Sequence, residues 1–465
     1  MTCERDGIEA RVLERARPSR VQLAVLGRFY RMLEARLRAC LDKWGLKGVV
    51  EAEGSYAKGT LLSDKWELDV FVLVEAGKDW IRANARRMLE SCLSDVPHIA
   101  KYSEHPYITV SLMGLEADIV PARLLDKPNT RDVMGVERTP FHTRYVREEI
   151  ARNPCLADDV RLMKSFLKGI RVYGAETARG GFSGYLAEVL TIAYGGFREA
   201  LREISSWRPP VYLDPRGWGT LDEVRRRYQD SLLVVVDPVD PYRNVAAAVR
   251  GESLYTLILA ARLYNESPSR LFFHVFQDEA RMLEEEHRPR VPLAGVVAVY
   301  EGRMYEYPPQ DVEGQLYRIS RSLGEGLERE GFNVYKTGWS LEAWKGIVYA
   351  IVESTSLPPS RHATGPSLWA SSGRLLGFIS KRLREGGAVL PGRPELYGVA
   401  ARRDRELASV AERVLAGLKP PRGARLTSVE ACWVGECSGQ AGRVLSEASL
   451  MTPAWIIQAY TRSRG

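Results

Sequence analysis

Between Gly54 and Val74 the chain gathers groups that a phosphate-handling site needs: the turn Gly54-Ser55, the cation Lys58, and the acids Glu67 and Asp69. A Gly-Ser turn at a helix start lets backbone N–H groups and a hydroxyl approach phosphate oxygens closely. The run Glu67-Leu68-Asp69-Val70-Phe71-Val72-Leu73-Val74 has the residue types of a buried strand, so Glu67 and Asp69 share one face, roughly 6.5–7 Å apart along it. Crowded carboxylates repel, and one of them takes up a proton unless a cation intervenes. A divalent metal removes that conflict. A second acid-bearing strand, Leu115-Glu116-Ala117-Asp118-Ile119-Val120, offers a third carboxylate; parity puts Glu116 and Asp118 on one face and does not choose between them. Three oxygen donors plus substrate phosphates suit Mg²⁺, and two such ions about 3.5–4 Å apart can activate a hydroxyl and stabilise a pyrophosphate leaving group. Each motif alone is commonplace. Their combination, with eleven residues between Ser55 and Glu67, is specific.

These groups need a sheet and helices to hold them. Leu26, Phe29, Tyr30, Leu33, Leu37, Cys40, Leu41 and Trp44 recur at helical spacing and predict one long opening helix that stops at Gly45. Residues 49–53 and 66–74 read as strands, and 107–113 joins 115–120 through Gly114 as a hairpin. Residues 1–135 are therefore expected to form a helix-plus-sheet head, and 136–260 a helical central domain interrupted at 207–219. Residues 261–356 read as a small α+β body: a hairpin of 294–300 with 303–307, a helix over 316–330 and a returning strand at 347–353. The segment 357–465, punctuated by Pro358-Pro359 and Pro420-Pro421, reads as a basic, mainly helical tail.

Composition sets outer limits. With 465 residues, 45% hydrophobic and 27% charged, the chain is expected to fold rather than remain disordered. No run of about 18 apolar residues or signal-peptide pattern is visible, which predicts a soluble, cytoplasmic protein with no membrane partner. Lys+Arg 66 against Asp+Glu 59 gives a net charge of +7, favouring polyanionic partners. The six cysteines are too scattered for a disulfide scaffold; Cys432 and Cys437, the close pair, make a poor zinc site and read as buried or incidental thiols, with a disulfide the alternative in a hyperthermophile's protein.

The motifs Glu67-Leu68-Asp69-Val70-Phe71, Glu116-Ala117-Asp118-Ile119-Val120-Pro121, Arg138-Thr139-Pro140-Phe141-His142, Tyr173-Gly174-Ala175-Glu176, Gly181-Phe182-Ser183-Gly184-Tyr185 and Asp237-Pro238-Val239-Asp240 with Arg243-Asn244-Val245-Ala246 extend the match. In order and spacing the chain resembles the archaeal, class I CCA-adding enzymes of the polymerase β-like nucleotidyltransferase superfamily, from about residue 20 to 250. The resemblance implies an α+β multidomain fold: a polymerase β-like mixed-sheet head, a helical neck, an RRM-like body and the basic tail. It also implies template-independent addition of C, C and A to tRNA 3′ ends from CTP and ATP, with release of pyrophosphate.

On the matching positions, Glu67, Asp69 and Asp118 would be catalytic and hold Mg²⁺, a pair of ions being expected. Asp118 would also accept the proton of the attacking 3′-hydroxyl, leaving Glu116 a bystander. Gly54, Ser55, Lys58, His142, Lys164 and Tyr173 would contact the nucleotide, and Arg243 would read the base edge. Lys58 stands where the family more often has arginine, so a point charge replaces a bidentate fork. Arg161 and Lys168, beside Lys164, are expected to be solvated, Phe182, Tyr185 and Leu186 to pack, and Ser183 to cap a helix. An ion pair with Asp240 is the plain structural alternative for Arg243. Basic residues Arg374, Lys381, Arg382, Arg384, Arg402, Arg403, Arg405 and Arg413 would track the tRNA acceptor stem and 3′ end. The family also allows a homodimer. A poly(A) polymerase-like product and a non-catalytic RNA-binding relative are the alternatives.

Overall fold

Proline and capping chemistry set the first boundary. In the computed structural model, which describes residues 7–102, 106–127, 135–176, 178–390, 394–402 and 404–462, helix α1 (Gly7–Ala16) precedes helix α2 (Arg20–Lys43). The single opening helix expected from periodicity is thus preceded by another. Between them Pro18 interrupts the backbone ladder and the Ser19 hydroxyl accepts from the Gln22 N–H at 3.0 Å, capping α2.

Beyond α2, β1 (Gly48–Glu53) runs into the one-turn helix α3 (Gly54–Ala57), and β2 (Glu67–Val74) is followed by α4 (Lys78–Cys92). With β3 (His98–Tyr102), β4 (Pro106–Leu112) and β5 (Leu115–Arg123) these strands make a five-stranded mixed sheet in the order β1-β2-β5-β4-β3. β4 and β5 form the expected hairpin, turning at Met113 and Gly114 with φ of 51° and 80°. One sheet face buries Val50, Leu68, Val70, Val72, Val74, Ala117 and Ile119 in a core with Leu33, Leu37, Met88 and Leu89 of α2 and α4. Burying these residues is the main favourable term holding the sheet to its helices. The opposite face carries Phe71, Leu73 and Val120, and then the acids at the strand starts.

Helices α5 (Thr139–Arg152), α6 (Leu156–Gly169) and α7 (Gly184–Ala193) follow, with Phe197–Ser205 and Gly251–Glu266 packing behind them. Their core is aromatic: Phe166 lies between 5.5 and 5.8 Å, centroid to centroid, from Phe197, Tyr264, Phe272 and Phe273. Trp455 of the terminal helix Ala454–Arg462 stacks on Phe272 at 5.5 Å. The chain accordingly divides into one compact unit ending at Glu286 and rejoined from Thr452, and another from His287 to Met451. The expected change of domain at 260/261 is not a boundary of either unit, because Phe272, Phe273 and Phe276 still belong to the first core.

In the second unit, Ala424–Trp433, Ala294–Gly302, Lys345–Val352 and Val334–Glu342 form an antiparallel sheet in that order, sharing a core with helices Pro309–Glu330 and Leu407–Ala416. The expected hairpin of 294–300 with 303–307 does not form. Residues Ala294 to Tyr300 are buried throughout, so this strand lies centrally between two long partners, while Met304–Glu306 is a 3₁₀ turn. The segment after 357 carries strands as well as the expected helices: Ser360–Ser367, Ala388–Leu390 and Glu395–Ala401 form a further sheet. Ser360-Arg361-His362-Ala363-Thr364 lacks apolar alternation, which is why its strand was not readable.

Of the two readings of Cys432 and Cys437 the disulfide holds, and the scattered Cys40 and Cys92 pair as well, against expectation. Cys40 on α2 bonds Cys92 at the end of α4, and Cys432 bonds Cys437, each with Cα atoms 5.7 Å apart. No described cysteine is free. Cys3 and Arg403 lie outside the described residues.

Candidate active site

Strand register decides which acids meet. β2 and β5 are parallel neighbours with Asp69 opposite Asp118 and Glu67 opposite Glu116, so all four leave the sheet on one face. β1 adds Glu53, which pairs with Asp69 in the antiparallel register and is buried. Burial, then the charges of Asp118 and Glu67, push the Asp69 carboxyl up to about 6. Burial likewise lifts Glu53 to about 7. The Thr109 hydroxyl donates to Asp118 Oδ1 at 2.5 Å. Glu67, half-exposed, accepts from Lys65 Nζ on Oε1 at 2.7 Å. Among the described residues no three His, Cys, Asp or Glu side chains already converge as a closed metal cage.

The Gly54-Ser55 turn leans directly on these acids. Gly54 has φ of 64°, and a Cβ there would stand 1.8 Å from Asp69 Oδ2. Only glycine meets both requirements. At the other end of α3, Lys58 Nζ donates to Glu188 Oε2 at 2.9 Å, while Lys164 Nζ donates to Glu188 Oε1 at 2.7 Å. Thr60 Oγ1 also donates to Oε1, at 2.7 Å. Burial pushes the Glu188 carboxyl up, but Lys164 and Lys58 outweigh it and hold it at about 2. Burial lowers the Lys164 ammonium despite that carboxylate. Tyr173 stands beside Lys164: a Cβ on Gly184 would lie 2.7 Å from the Tyr173 hydroxyl and 3.8 Å from Lys164 Cε. Burial, followed by the charges of Glu188 and Glu67, raises that phenol well above its ordinary value.

A second buried carboxylate organises the remaining pair. Asp237 Oδ2 receives Arg243 Nη1 at 2.7 Å and lies 3.0 Å from His142 Nε2, and Oδ1 receives the Tyr185 hydroxyl at 3.1 Å. Tyr185 stacks on His142 with ring centroids 3.8 Å apart, and Lys58 Nζ sits 5.1 Å from the Tyr185 centroid, joining the two networks. Burial drives the His142 imidazole down, with Asp237 opposing; His142 and Arg243 hold Asp237 below the usual carboxylate range against its own burial.

The structure brings the sequence-selected residues together as two clusters: Gly54, Lys58, Asp69, Asp118, Glu67, Lys164 and Tyr173 around Glu188 and the starts of β2 and β5, and His142 with Arg243 on Asp237. Ser55 is part-exposed in α3. Several side roles differ from expectation. Arg243 pairs with Asp237, and Asp240 is held instead by Arg138 at 2.8 Å. Arg161 is not solvated but bonds the Leu61 and Gly59 carbonyls and Asp158, and Lys168 pairs with Asp64. Tyr185 does more than pack, because its hydroxyl is committed to Asp237, whereas Ser183 does cap α7. Arg382 is buried against Glu385, and Arg402 bonds the Glu330 carbonyl, so neither is a free phosphate contact. Glu188, Asp237, Thr60, Thr109 and Glu53 were missed. A signal existed for Glu188: it is the lone charge in the otherwise apolar helix Gly184–Ala193.

A mixed sheet with acids at parallel strand starts and a glycine turn against them defines a nucleotidyltransferase. Residues 33–150 match the nucleotidyltransferase domain family, and residues 158–274 match the second domain of tRNA nucleotidyltransferase. The chain is 45% identical over 432 residues to the CCA-adding enzyme of Aeropyrum pernix, covering 92% of this chain and 91% of that one. It is 36% identical over 341 residues to the CCA-adding enzyme of Sulfurisphaera tokodaii, covering 72% and 75%, and 33% identical over 374 residues to that of Saccharolobus solfataricus, covering 78% and 83%. The chain belongs to the archaeal CCA-adding enzyme family. Enzymes of the nucleotidyltransferase family generally use divalent metal ions. No described helix is long and apolar enough to cross a membrane.

Proposed function

We propose that the protein builds and repairs the 3′-terminal CCA of tRNA from CTP and ATP, in the cytoplasm, without a nucleic-acid template. The observation that carries this reading is the register pairing of Asp69 with Asp118 beside Gly54. The donor set fits Mg²⁺: it is all oxygen, and the Asp69 carboxyl is lifted first by burial and then by its acidic neighbours, the second of which a cation would relieve. Asp69, Asp118 and Glu67 would hold the ions, Glu67 turning from Lys65, which its half-exposed side chain permits. When bound, a pair of Mg²⁺ ions offsets charge on the attacking and leaving oxygens.

The rest is positioning by the chain's own groups. Backbone at Gly54 and the Ser55 hydroxyl receive the phosphates, with Lys58 and Lys164 supplying positive charge and Tyr173 a hydroxyl. Thr109 occupies Oδ1 of Asp118, which leaves Oδ2 to take the proton of the RNA 3′-hydroxyl. Arg243 and His142, fixed by Asp237, face the base. Exposed Arg374, Lys381, Arg384, Arg405 and Arg413 hold tRNA phosphates.

The deciding experiment incubates a tRNA lacking CCA with each labelled nucleotide singly and then together. CTP alone is expected to add two residues, and CTP with ATP to complete CCA and stop. Equal use of all four nucleotides would overturn the assignment, and continued extension with ATP alone would replace it with a poly(A) polymerase-like activity.

A further inference from the structure

Two ammonium groups and one carboxylate share a buried space between the end of α3, α6 and α7. Lys58 is 7% exposed, Thr60 0%, Lys164 3% and Glu188 1%. Glu188 spends one oxygen on Lys58 and the other on Lys164 and Thr60, and Lys164 also donates to the Thr60 hydroxyl at 3.0 Å. Among the described residues Glu188 is thus the one carboxylate bonded to both ammonium groups, while Lys58 also feels the Asp69 and Glu53 carboxyls across α3 and draws both down. The neighbouring Arg161 pairs with Asp158, which it shares with Arg17; the Tyr173 phenol beside Lys164 is uncharged, and the Tyr185 hydroxyl is turned to Asp237. Two like charges held side by side out of water are costly unless a carboxylate lies between them, and Glu188 supplies it.

We propose that Glu188 is a positioning residue: it gathers Lys58 and Lys164 into one two-pronged cation that receives the nucleotide's phosphate chain, and so sets nucleotide affinity without touching the nucleotide. This rests on the reading of both lysines as phosphate contacts. It also accounts for lysine at 58. An arginine presents a rigid fork by itself, whereas two lysines are point charges on flexible stems that need a shared carboxylate to converge.

The test uses the full chain, with inorganic tripolyphosphate and adenosine as separate probes. Glu188→Gln keeps the shape and removes the charge. It is expected to weaken tripolyphosphate binding and raise the KM for ATP by about tenfold, the scale of a lost charge-assisted bond, while adenosine binding and the KM for tRNA change less than about twofold. A purely structural role would degrade all four together, and that result, or unchanged tripolyphosphate binding, overturns the proposal. Should Glu188→Gln fail to fold, Glu188→Asp carries the test. It retains the charge but is one methylene too short to span both lysines, so tripolyphosphate binding falls by about threefold; wild-type binding overturns the proposal. In a Lys58→Met, Lys164→Met background, adding Glu188→Gln is expected to cause no further loss, and an additive loss overturns the proposal. If that lysine double variant binds tripolyphosphate like wild type, the phosphate reading of the lysines falls and the proposal with it. If it loses binding while Glu188→Gln does not, the role of Glu188 alone falls.

Discussion

Gly54 and Asp69 are packed so closely that a single methyl group on Gly54 would stand 1.8 Å from the carboxylate. The turn proposed to receive phosphate and the acid proposed to hold metal therefore cannot move independently. Gly54→Ala must shift one or the other and also strain a φ of 64°. Incorporation of CTP is expected to fall by about a hundredfold or more, the scale of an ångström-sized displacement. Gly59→Ala is the control, since its φ of 72° is similar but nothing lies within 4 Å of its added Cβ. It should cost only about 1–2 kcal/mol of stability. Single-turnover rates and melting curves for both variants decide the matter; equal effects would mean that contact with Asp69 is irrelevant.

Asp118 and Glu116 lie on one face of β5, yet only Asp118 sits opposite Asp69. Asp118→Asn is expected to reduce nucleotide incorporation by about a thousandfold, as loss of a group acting on transition-state charge does. Glu116→Gln should stay within about twofold of wild type. The reverse order in a primer-extension assay would remove Asp118 from the proposed metal set.

The Glu188 carboxyl, held at about 2 in the folded chain, has an ordinary value near 4.5 when exposed. Because the folded state binds this proton less readily than the unfolded one, its stabilisation is complete above about pH 4.5 and is lost as pH falls toward 2. Urea unfolding at intervals between pH 7 and 3 should therefore show Glu188→Gln less stable than wild type at neutral pH, the gap closing on acidification. Parallel curves for the two proteins would contradict this.

The two disulfides should contribute unequally. Cys40–Cys92 closes a separation of 52 residues and Cys432–Cys437 one of 5. Loop-closure entropy gives about 4 kcal/mol for the first and about 2 kcal/mol for the second. Denaturation of Cys40→Ser, Cys92→Ser and of Cys432→Ser, Cys437→Ser variants measures the difference, and a larger loss from the short loop would argue against an entropic origin.

Local pattern carried much of the catalytic half. Alternation placed Glu67 with Asp69 and Glu116 with Asp118, and the glycine break at Gly54 marked the turn proposed to receive phosphate, because strand parity and turn geometry depend only on neighbouring residues. The same logic failed at residues 303–307 and 360–364, where strand identity depends on partners far along the chain. Spacing left Cys432 and Cys437 open between thiols and a disulfide, because bonding depends on where a turn folds back, which composition does not report.

By itself the amino-acid order determined the residue types able to bind phosphate and metal, and the strands and helices that carry them. Tertiary structure alone decided which acid of β5 meets Asp69, which carboxylate holds Arg243, and that Lys58 and Lys164, 106 positions apart in sequence, converge on Glu188. The physical reason is burial. A charge removed from water must find a partner, and the partner that satisfies it is chosen by packing across distant segments rather than by spacing within one.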